Sequence, residues 1–213
     1  MNSNFKEYYK NIGRYIAHHF LNIRHYQDIK PIKHFIIENN IYFKYKKRIY
    51  HIKIVNKPYK NIHLKMLQNY NSLMMEYEDT KIHQYILFIG KNVGKLKDCI
   101  NRDELIYIYT IININDLQKK EFLKSNDVTK VLLSIFFNDK NIEQYIGKII
   151  SKLYKLSTTE TEFIEHLKEL ELLAKYKDLD KHIKRWKKFL QNNNYKSIIL
   201  KSWQDNLDLL YND

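Results

Sequence analysis

The residues best suited to chemistry with an anion lie between positions 43 and 60, where the sequence FKYKKRIYHIKIVNKPYK interleaves Lys and Arg with Tyr and Phe. Basic side chains can neutralise phosphates, and aromatic rings can stack on bases. If the segment forms strands, alternation also places half of these residues in a core. The candidates for contact with nucleic acid are Lys44, Lys46, Lys47, Arg48, Lys57 and Lys60.

The distribution of charge favours the same chemistry. The chain has 213 residues and a net charge of +13; residues 1–100 hold 18 basic and 7 acidic side chains, and the remainder hold 19 and 17. A compositional bias toward Lys would spread the excess evenly along the chain. The basic first half is therefore expected to face an anionic partner, most commonly nucleic acid. A solvated, Lys-rich surface is the alternative.

Other motifs that could carry chemistry are weak. GKNVGK at 90–95 has three residues between its glycines, and Leu96 follows Lys95, so it lacks the pattern of a phosphate-binding loop. The histidines have no HExxH spacing, and Cys99, the one cysteine, excludes a disulfide scaffold and a Cys-based zinc module. We predict no metal ligands among these residues and a flexible basic loop at 90–95.

The beginning of the chain is too polar for a signal peptide, and no apolar run approaches the ~18 residues of a membrane span. With a single thiol, the sequence favours a cytoplasmic protein without a membrane partner.

Hydrophobic periodicity predicts an α/β first half. Apolar residues recur at steps of three and four in the predicted helices, and alternation over 48–55 is typical of a strand. Asn39–Asn40 and Lys46–Lys47 are placed at tight turns, and a charged loop precedes the last strand. The predicted elements are a helix over 5–20, strands over 32–38, 41–45 and 48–55, a helix over 59–77, and strands over 85–90 and 104–112.

The second half is predicted to be an all-helical C-terminal extension. Asp127 and Asn141 are expected to cap helices that run to 137 and 156, and Ser157 with Glu160 forms a predicted capping box. Further helices are predicted over 180–190 and 197–210. The predicted domains are an α/β core over 1–117 and a helical region over 118–213.

The chain resembles the Rpn family of recombination-promoting, transposase-like nucleases, which have the PD-(D/E)XK nuclease fold. The similarity rests on HIKIV at 51–55, KMLQNY at 65–70, YILFIG at 85–90 and IYIYTIININDL at 106–117, with a weaker match over 122–137 and 170–179. The predicted order of helix, three-strand meander, helix, strand and strand is also the layout of that fold. The resemblance implies a mixed sheet flanked by helices and a metal-dependent DNA endonuclease.

The positions that the resemblance assigns to catalysis carry other residues. The family's catalytic Glu falls on Lys53, its Gln on Val55, and its upstream Asp on Asn39 or Asn40. In this fold two carboxylates bind Mg²⁺, which activates water. Asn40 can offer a neutral oxygen, but the ammonium of Lys53 would repel the metal. We therefore expect a degenerate nuclease-like protein that binds DNA and needs no cofactor.

Two alternatives remain open. An active, Mg²⁺-dependent endonuclease would need carboxylates from elsewhere, with Glu38 the first choice and Glu76, Glu78 and Asp79 as further candidates. A non-catalytic protein-interaction module would use the helical tail for assembly. Independently of this choice, the amphipathic stripe over 197–210 predicts a homodimer. It consists of Ile198, Ile199, Trp203, Leu207 and Leu210.

Overall fold

The structure, a computed structural model, describes residues 3–37, 39–94 and 96–192, with side chains described for 11–32, 39–94 and 96–190. The chain divides into two compact units, Met1–Asp116 and Leu117–Asp213.

The first unit is built on a mixed sheet. The elements are α1 (Ser3–Leu21), β1 (Lys30–Ile37), β2 (Asn40–Tyr45), β3 (Arg48–Val55), α2 (Ile62–Glu76), β4 (Lys81–Phe88), β5 (Cys99–Arg102), β6 (Leu105–Ile108) and β7 (Thr110–Asn113). Among the described residues five strands follow the order β1-β2-β3-β4-β7, and β5 and β6 form a separate two-stranded sheet. Strands β1 to β3 are antiparallel neighbours, whereas β3, β4 and β7 run parallel.

Helices α1 and α2 pack against strands of this sheet, as predicted. Strand β3 is buried along its length after Arg48, because it lies in the middle of the sheet. On one face, Val55 packs with Ile62 and Met66 of α2 in a common apolar cluster. Helix α1 contacts β1 and buries Ile12, Ile16 and Ala17. The prediction of an α/β unit with a mixed sheet flanked by helices is confirmed.

The two tight turns of the meander lie where the sequence places them. Asn39 has a φ of 66° in the turn before β2, a left-handed conformation that Asn tolerates better than most residues. Lys46 has a φ of 55° in the turn between β2 and β3. The bounds of β3 agree with the predicted 48–55 because these turns and the alternation between them are local signals.

The segment around 90–112 differs from the prediction. The predicted strand over 104–112 is two strands that separate at Tyr109, with β6 paired to β5 and β7 paired to β4. Strand β5 lies within the segment predicted as a charged loop. The apolar segment 104–112 thus contributes a strand to each of two sheets. The point at which it divides is determined by its pairing with β5 and β4, which its own sequence does not indicate.

The second unit is helical throughout its described elements, in agreement with the prediction. Its helices are α3 (Lys119–Lys124), α4 (Val128–Leu133), α5 (Ile142–Leu156), α6 (Glu160–Ala174) and α7 (Asp180–Asn192). Asp127 and Asn141 cap α4 and α5 as expected, through backbone N–H groups of Thr129 and Gln144. The predicted helix over 197–210 lies outside the described residues.

The predicted capping box at Ser157 and Glu160 is wrong by two positions. Thr159 is the N-cap of α6, where its hydroxyl accepts from the backbone N–H of Glu162. Glu162 in turn accepts from the backbone N–H of Thr158, at 2.6 Å. Ser157 is unavailable for this role because it ends α5, where its hydroxyl donates to the carbonyl of Leu153 at 2.8 Å.

One lysine of this unit, Lys177, has a structural role. The ammonium of Lys177 donates to the carbonyl oxygens of Phe136 and Phe137, at 2.9 and 3.0 Å, and to the Asn138 side chain at 2.9 Å. It thereby satisfies carbonyls at the end of a 3-10 turn. Among the described helices, none has the length and apolar character needed to span a bilayer.

Candidate functional site

Polar side chains form a connected chain inside the first unit, on the face of the sheet that α2 covers. Every member is less than 9% exposed to solvent. We call this set the buried network; it consists of Asn40 on β2, His51 and Lys53 on β3, Gln84 on β4 and Tyr107 on β6.

Strand register brings these residues together. Asn40 lies directly opposite Lys53 across the antiparallel β2–β3 pair, and His51 lies beside Gln84 in the parallel β3–β4 pair. Residues two apart on a strand share a face, so His51 and Lys53 point to the same side of the sheet. Asn40 is the diagonal neighbour of His51 and reaches it across the strands.

The hydrogen bonds of the buried network are continuous. The ammonium of Lys53 donates to Oδ1 of Asn40 at 3.2 Å, and Nε2 of His51 lies 2.9 Å from the same oxygen. Nε2 of Gln84 lies 2.7 Å from Nδ1 of His51 and also donates to the carbonyl of Met66 in α2, at 3.1 Å. The hydroxyl of Tyr107 donates to Oε1 of Gln84.

One tautomer of His51 is consistent with these contacts. An amide oxygen can only accept, so Nε2 of His51 must carry a hydrogen and donate to Asn40. The Gln84 amide nitrogen can only donate, so Nδ1 of His51 must accept and remain unprotonated. These two hydrogen bonds therefore require a neutral imidazole.

Electrostatics favour the same state. Burial, followed by the positive charge of Lys53, lowers the pKa of His51 to about 3. Protonation at Nδ1 would direct a hydrogen at the Gln84 amide, and turning that amide would break its bonds to Met66 and Tyr107. The parallel ring of Tyr42, 4.6 Å from the His51 ring, covers the imidazole.

The two-stranded sheet closes this region. Ile100 of β5 and Tyr107 of β6 belong to the same apolar cluster as Met66 of α2, and the Tyr107 ring lies 5.7 Å from that of Tyr70. Burial, with smaller effects from Tyr109 and Tyr70, raises the pKa of Tyr107, so its hydroxyl is a hydrogen-bond donor at all ordinary pH values.

The predicted catalytic positions are only partly brought together. Asn40 and Lys53 are in direct contact, whereas Val55 is 4% exposed and packs in the apolar cluster with α2. Glu38, the alternative carboxylate, lies outside the described residues. Asn39 lies in the turn, and its carbonyl accepts from the backbone N–H of Ile54 at 2.8 Å.

The other alternative carboxylates are distant from the buried network. Glu76 is the last residue of α2, and Glu78 and Asp79 follow in the turn before β4; all three are exposed. In the β3–β4 register Lys81, which follows this turn, lies beside Arg48, whereas Asn40 lies beside Lys53, five residues or about 17 Å farther along β3. These residues therefore do not complete a metal site with Asn40.

The described residues of this site do not fit Mg²⁺. A hard cation needs several oxygen ligands with available lone pairs. Oδ1 of Asn40 already accepts from two donors, His51 and Lys53, which uses both of its lone pairs. Both nitrogens of His51 are also engaged. A metal could enter only by breaking the buried network.

Comparison with known proteins gives no family. No family model matches the chain, and neither a curated protein nor a solved structure was found to be similar to it. We therefore infer function from the geometry of the chain itself and from its sequence motifs.

The predicted nucleic-acid-binding residues form two groups. All six are exposed. Lys44, Lys46, Lys47 and Arg48 surround the β2–β3 turn, whereas Lys57 and Lys60 follow the opposite end of β3. The seven residue steps of β3 separate its ends by about 23 Å, so one phosphate cannot contact both groups.

Sequence reasoning missed Gln84 and Tyr107, and it treated His51 as one of several scattered histidines. A signal was present, because His51 and Gln84 are polar residues on strands whose other buried positions are mostly apolar. Their pairing could not be inferred, because it depends on the parallel register of β3 and β4, which are joined through α2.

Proposed function

We propose that this chain is a DNA-binding protein with a nuclease-like fold and a degenerate metal site, so that it binds DNA without metal-dependent cleavage. The observation that carries the proposal is the double acceptance by Oδ1 of Asn40 from His51 and Lys53. These bonds hold a cation and a neutral imidazole where the PD-(D/E)XK resemblance expects metal-binding carboxylates.

The order of elements supports the nuclease-like part of the proposal. Helix α1, the meander β1–β3, helix α2 and the parallel strands β4 and β7 follow the layout that the resemblance implies. Asn40 at the start of β2 and Lys53 near the end of β3 occupy adjoining positions of that layout. The fold alone does not define an activity, so the side chains at these positions decide the proposal.

Access to the buried network argues against cleavage as well. A phosphodiester must reach both a metal and a nucleophile, but Asn40 and His51 are 6% and 0% exposed. Tyr107 of β6 contributes to this enclosure by bonding to Gln84. A polymer as bulky as DNA can contact the surrounding lysines without entering the network.

The charge distribution supports binding. The excess of basic over acidic residues in the first 100 positions is concentrated in a unit whose Lys44, Lys46, Lys47, Lys57 and Lys60 are all exposed. Exposed lysines that neutralise phosphates release counterions, so affinity must fall as salt rises.

A paired assay tests the proposal. Purified protein is titrated with labelled duplex DNA at several salt concentrations, and the same preparation is incubated with supercoiled plasmid and Mg²⁺ or Mn²⁺. We expect salt-dependent binding and no nicking above a protein-free control. Nicking that EDTA abolishes, and that Glu38→Gln also abolishes, would show an active nuclease; absence of binding at low salt would reject the DNA-binding function.

We also propose a homodimer, which rests on the apolar stripe over 197–210, outside the described residues. A molecular mass in solution, measured by light scattering at micromolar concentration, distinguishes a dimer from the monomer that would contradict it.

A further inference from the structure

Two loops meet at the carboxyl ends of the parallel strands of the first unit. The backbone N–H of Ile89, after β4, donates to the carbonyl of Val55 at 2.9 Å. At Gly90 the chains are so close that a Cβ atom would lie 2.0 Å from the carbonyl oxygen of Asn56. The loop after β3 and the loop after β4 therefore lie side by side, and Gly90 is required for this approach.

This junction is basic and exposed. We call it the loop surface, and it comprises Lys57, Tyr59 and Lys60 after β3 with Lys91 and Lys97 after β4. All four lysines are exposed. Lys91 and Lys97 were not among the predicted contacts, since the sequence alone does not show that Gly90 approaches Asn56.

An aromatic ring lies among these charges. Tyr59 follows Pro58, which restricts the backbone, and its side chain is 45% exposed although it is a large apolar ring. Tyr59 is close enough to Tyr109 that, after burial and the charges of Asp98 and Cys99, it contributes to raising the pKa of Tyr109 to about 12. The hydroxyl of Tyr109 donates to the carbonyl of Lys97, so Tyr109 also contacts the loop after β4.

The other basic group offers charge with less aromatic surface. At the β2–β3 turn, the ammonium of Lys46 lies 5.4 Å from the centre of the Tyr45 ring and covers one of its faces. A ligand there meets lysines and Arg48, which suits any polyanion. At the loop surface a ligand can meet both phosphate-binding lysines and an exposed ring.

We propose that the loop surface binds single-stranded nucleic acid, with Tyr59 stacked on an unpaired base and the four lysines contacting phosphates. The inference rests on the proposed nucleic-acid-binding function and specifies its ligand. A base can stack on a protein ring only when its face is not covered by its neighbours in a duplex, and such stacking tolerates any base sequence. The surface therefore distinguishes single strands from duplexes rather than one sequence from another.

The test measures fluorescence anisotropy of a labelled oligothymidylate and of a labelled duplex, with the full chain and three variants. Tyr59→Ala is expected to weaken single-strand binding about 5- to 150-fold and to leave duplex binding unchanged. Tyr59→Phe keeps the ring and should restore the wild-type affinity. Tyr45→Ala at the other basic group is the matched control and should change single-strand affinity less than twofold.

A second measurement separates stacking from any structural effect of the substitution. Oligonucleotides with abasic positions should bind the wild type as weakly as the normal oligonucleotide binds Tyr59→Ala, and the two losses should not add. Equal binding of normal and abasic strands would overturn the inference. If Tyr59→Ala binds single strands normally while duplex binding persists, the inference fails and the proposed function stands; absence of binding to either probe rejects both.

Discussion

The buried network and the loop surface use the same kinds of side chain, lysine and tyrosine, within one unit of the molecule. In the network, the Lys53 ammonium and the Tyr107 hydroxyl donate to amide oxygens and are almost inaccessible to solvent. At the loop surface, Lys57, Lys60 and Tyr59 are exposed. Burial, rather than residue type, therefore separates the two groups: the buried side chains contribute to stability, and the exposed ones are accessible for the binding that we propose.

The largest expected effect follows from removing the centre of the buried network. Gln84→Leu keeps a similar volume but leaves His51, the Met66 carbonyl and Tyr107 without this hydrogen-bonding partner. At ~1 kcal/mol or more for each buried group that loses its partner, the free energy of unfolding should fall by about 3 kcal/mol. Urea denaturation measures it.

The matched substitution at the loop surface is Tyr59→Ala, which should change the free energy of unfolding by less than ~0.5 kcal/mol. A comparable loss of stability in both variants would remove the distinction between the two regions.

The next largest effect is a pH dependence of the free energy of unfolding that results from the lowered pKa of His51. The pKa of His51 is about 3 in the folded chain and ~6.5 when unfolded, so the unfolded chain binds more protons between these values. Stability should therefore fall as the pH is lowered through this window, with a contribution of about 1.4 kcal/mol per pH unit. Among the residues whose side chains the structure describes, the groups that contact His51 are Asn40, Gln84 and Tyr42, with Lys53 acting on it through its charge, and none of these is a carboxylate.

Carboxylates elsewhere also titrate in this range, so the contribution of His51 is measured as a difference. The free energy of unfolding of the wild type and of His51→Gln is measured at each pH. Plotted against pH, the wild-type values should change more steeply than those of the variant; parallel plots would mean that His51 is not held neutral by the network.

The smallest effect concerns the salt dependence of binding. The double variant Lys57→Ala/Lys60→Ala should lower the slope of log affinity against log salt by about 1.4 for single strands, which is two phosphate contacts at ~0.7 each. Stability should be unchanged, because both lysines are exposed. An unchanged slope would place the phosphate contacts elsewhere, and the β2–β3 turn would then be the surface to examine by the same substitution.

The sequence predicted local features better than pairings. The ends of β3, the turn at Asn39 and the caps Asp127 and Asn141 depend on neighbouring residues, and these predictions agree with the structure. The division of 104–112 at Tyr109 was not predicted, because it depends on the pairing of β6 with β5 and of β7 with β4, and β4 is distant in sequence.

The same reason explains what was missed in the candidate site. The contact between Asn40 and Lys53 follows from a hairpin and could be anticipated from the turn between β2 and β3. The contacts of Gln84 with His51 and Tyr107 join β3, β4 and β6, so they need the register of a parallel pair and the placement of a second sheet. Polar residues at inward strand positions are the sequence signal that such a network leaves.

The ring nitrogens of His51 test most directly our proposal that the described residues of the buried network leave no place for a catalytic metal. Long-range proton–nitrogen NMR spectra, with His51 assigned by comparison with His51→Gln, are recorded from pH 7 to pH 4 and with added Mn²⁺. We expect a neutral Nε2–H tautomer of His51 throughout and no paramagnetic broadening of its signals beyond that of exposed histidines. Titration of His51 near its ordinary pKa, or selective broadening by Mn²⁺ that Mg²⁺ reverses, would contradict it.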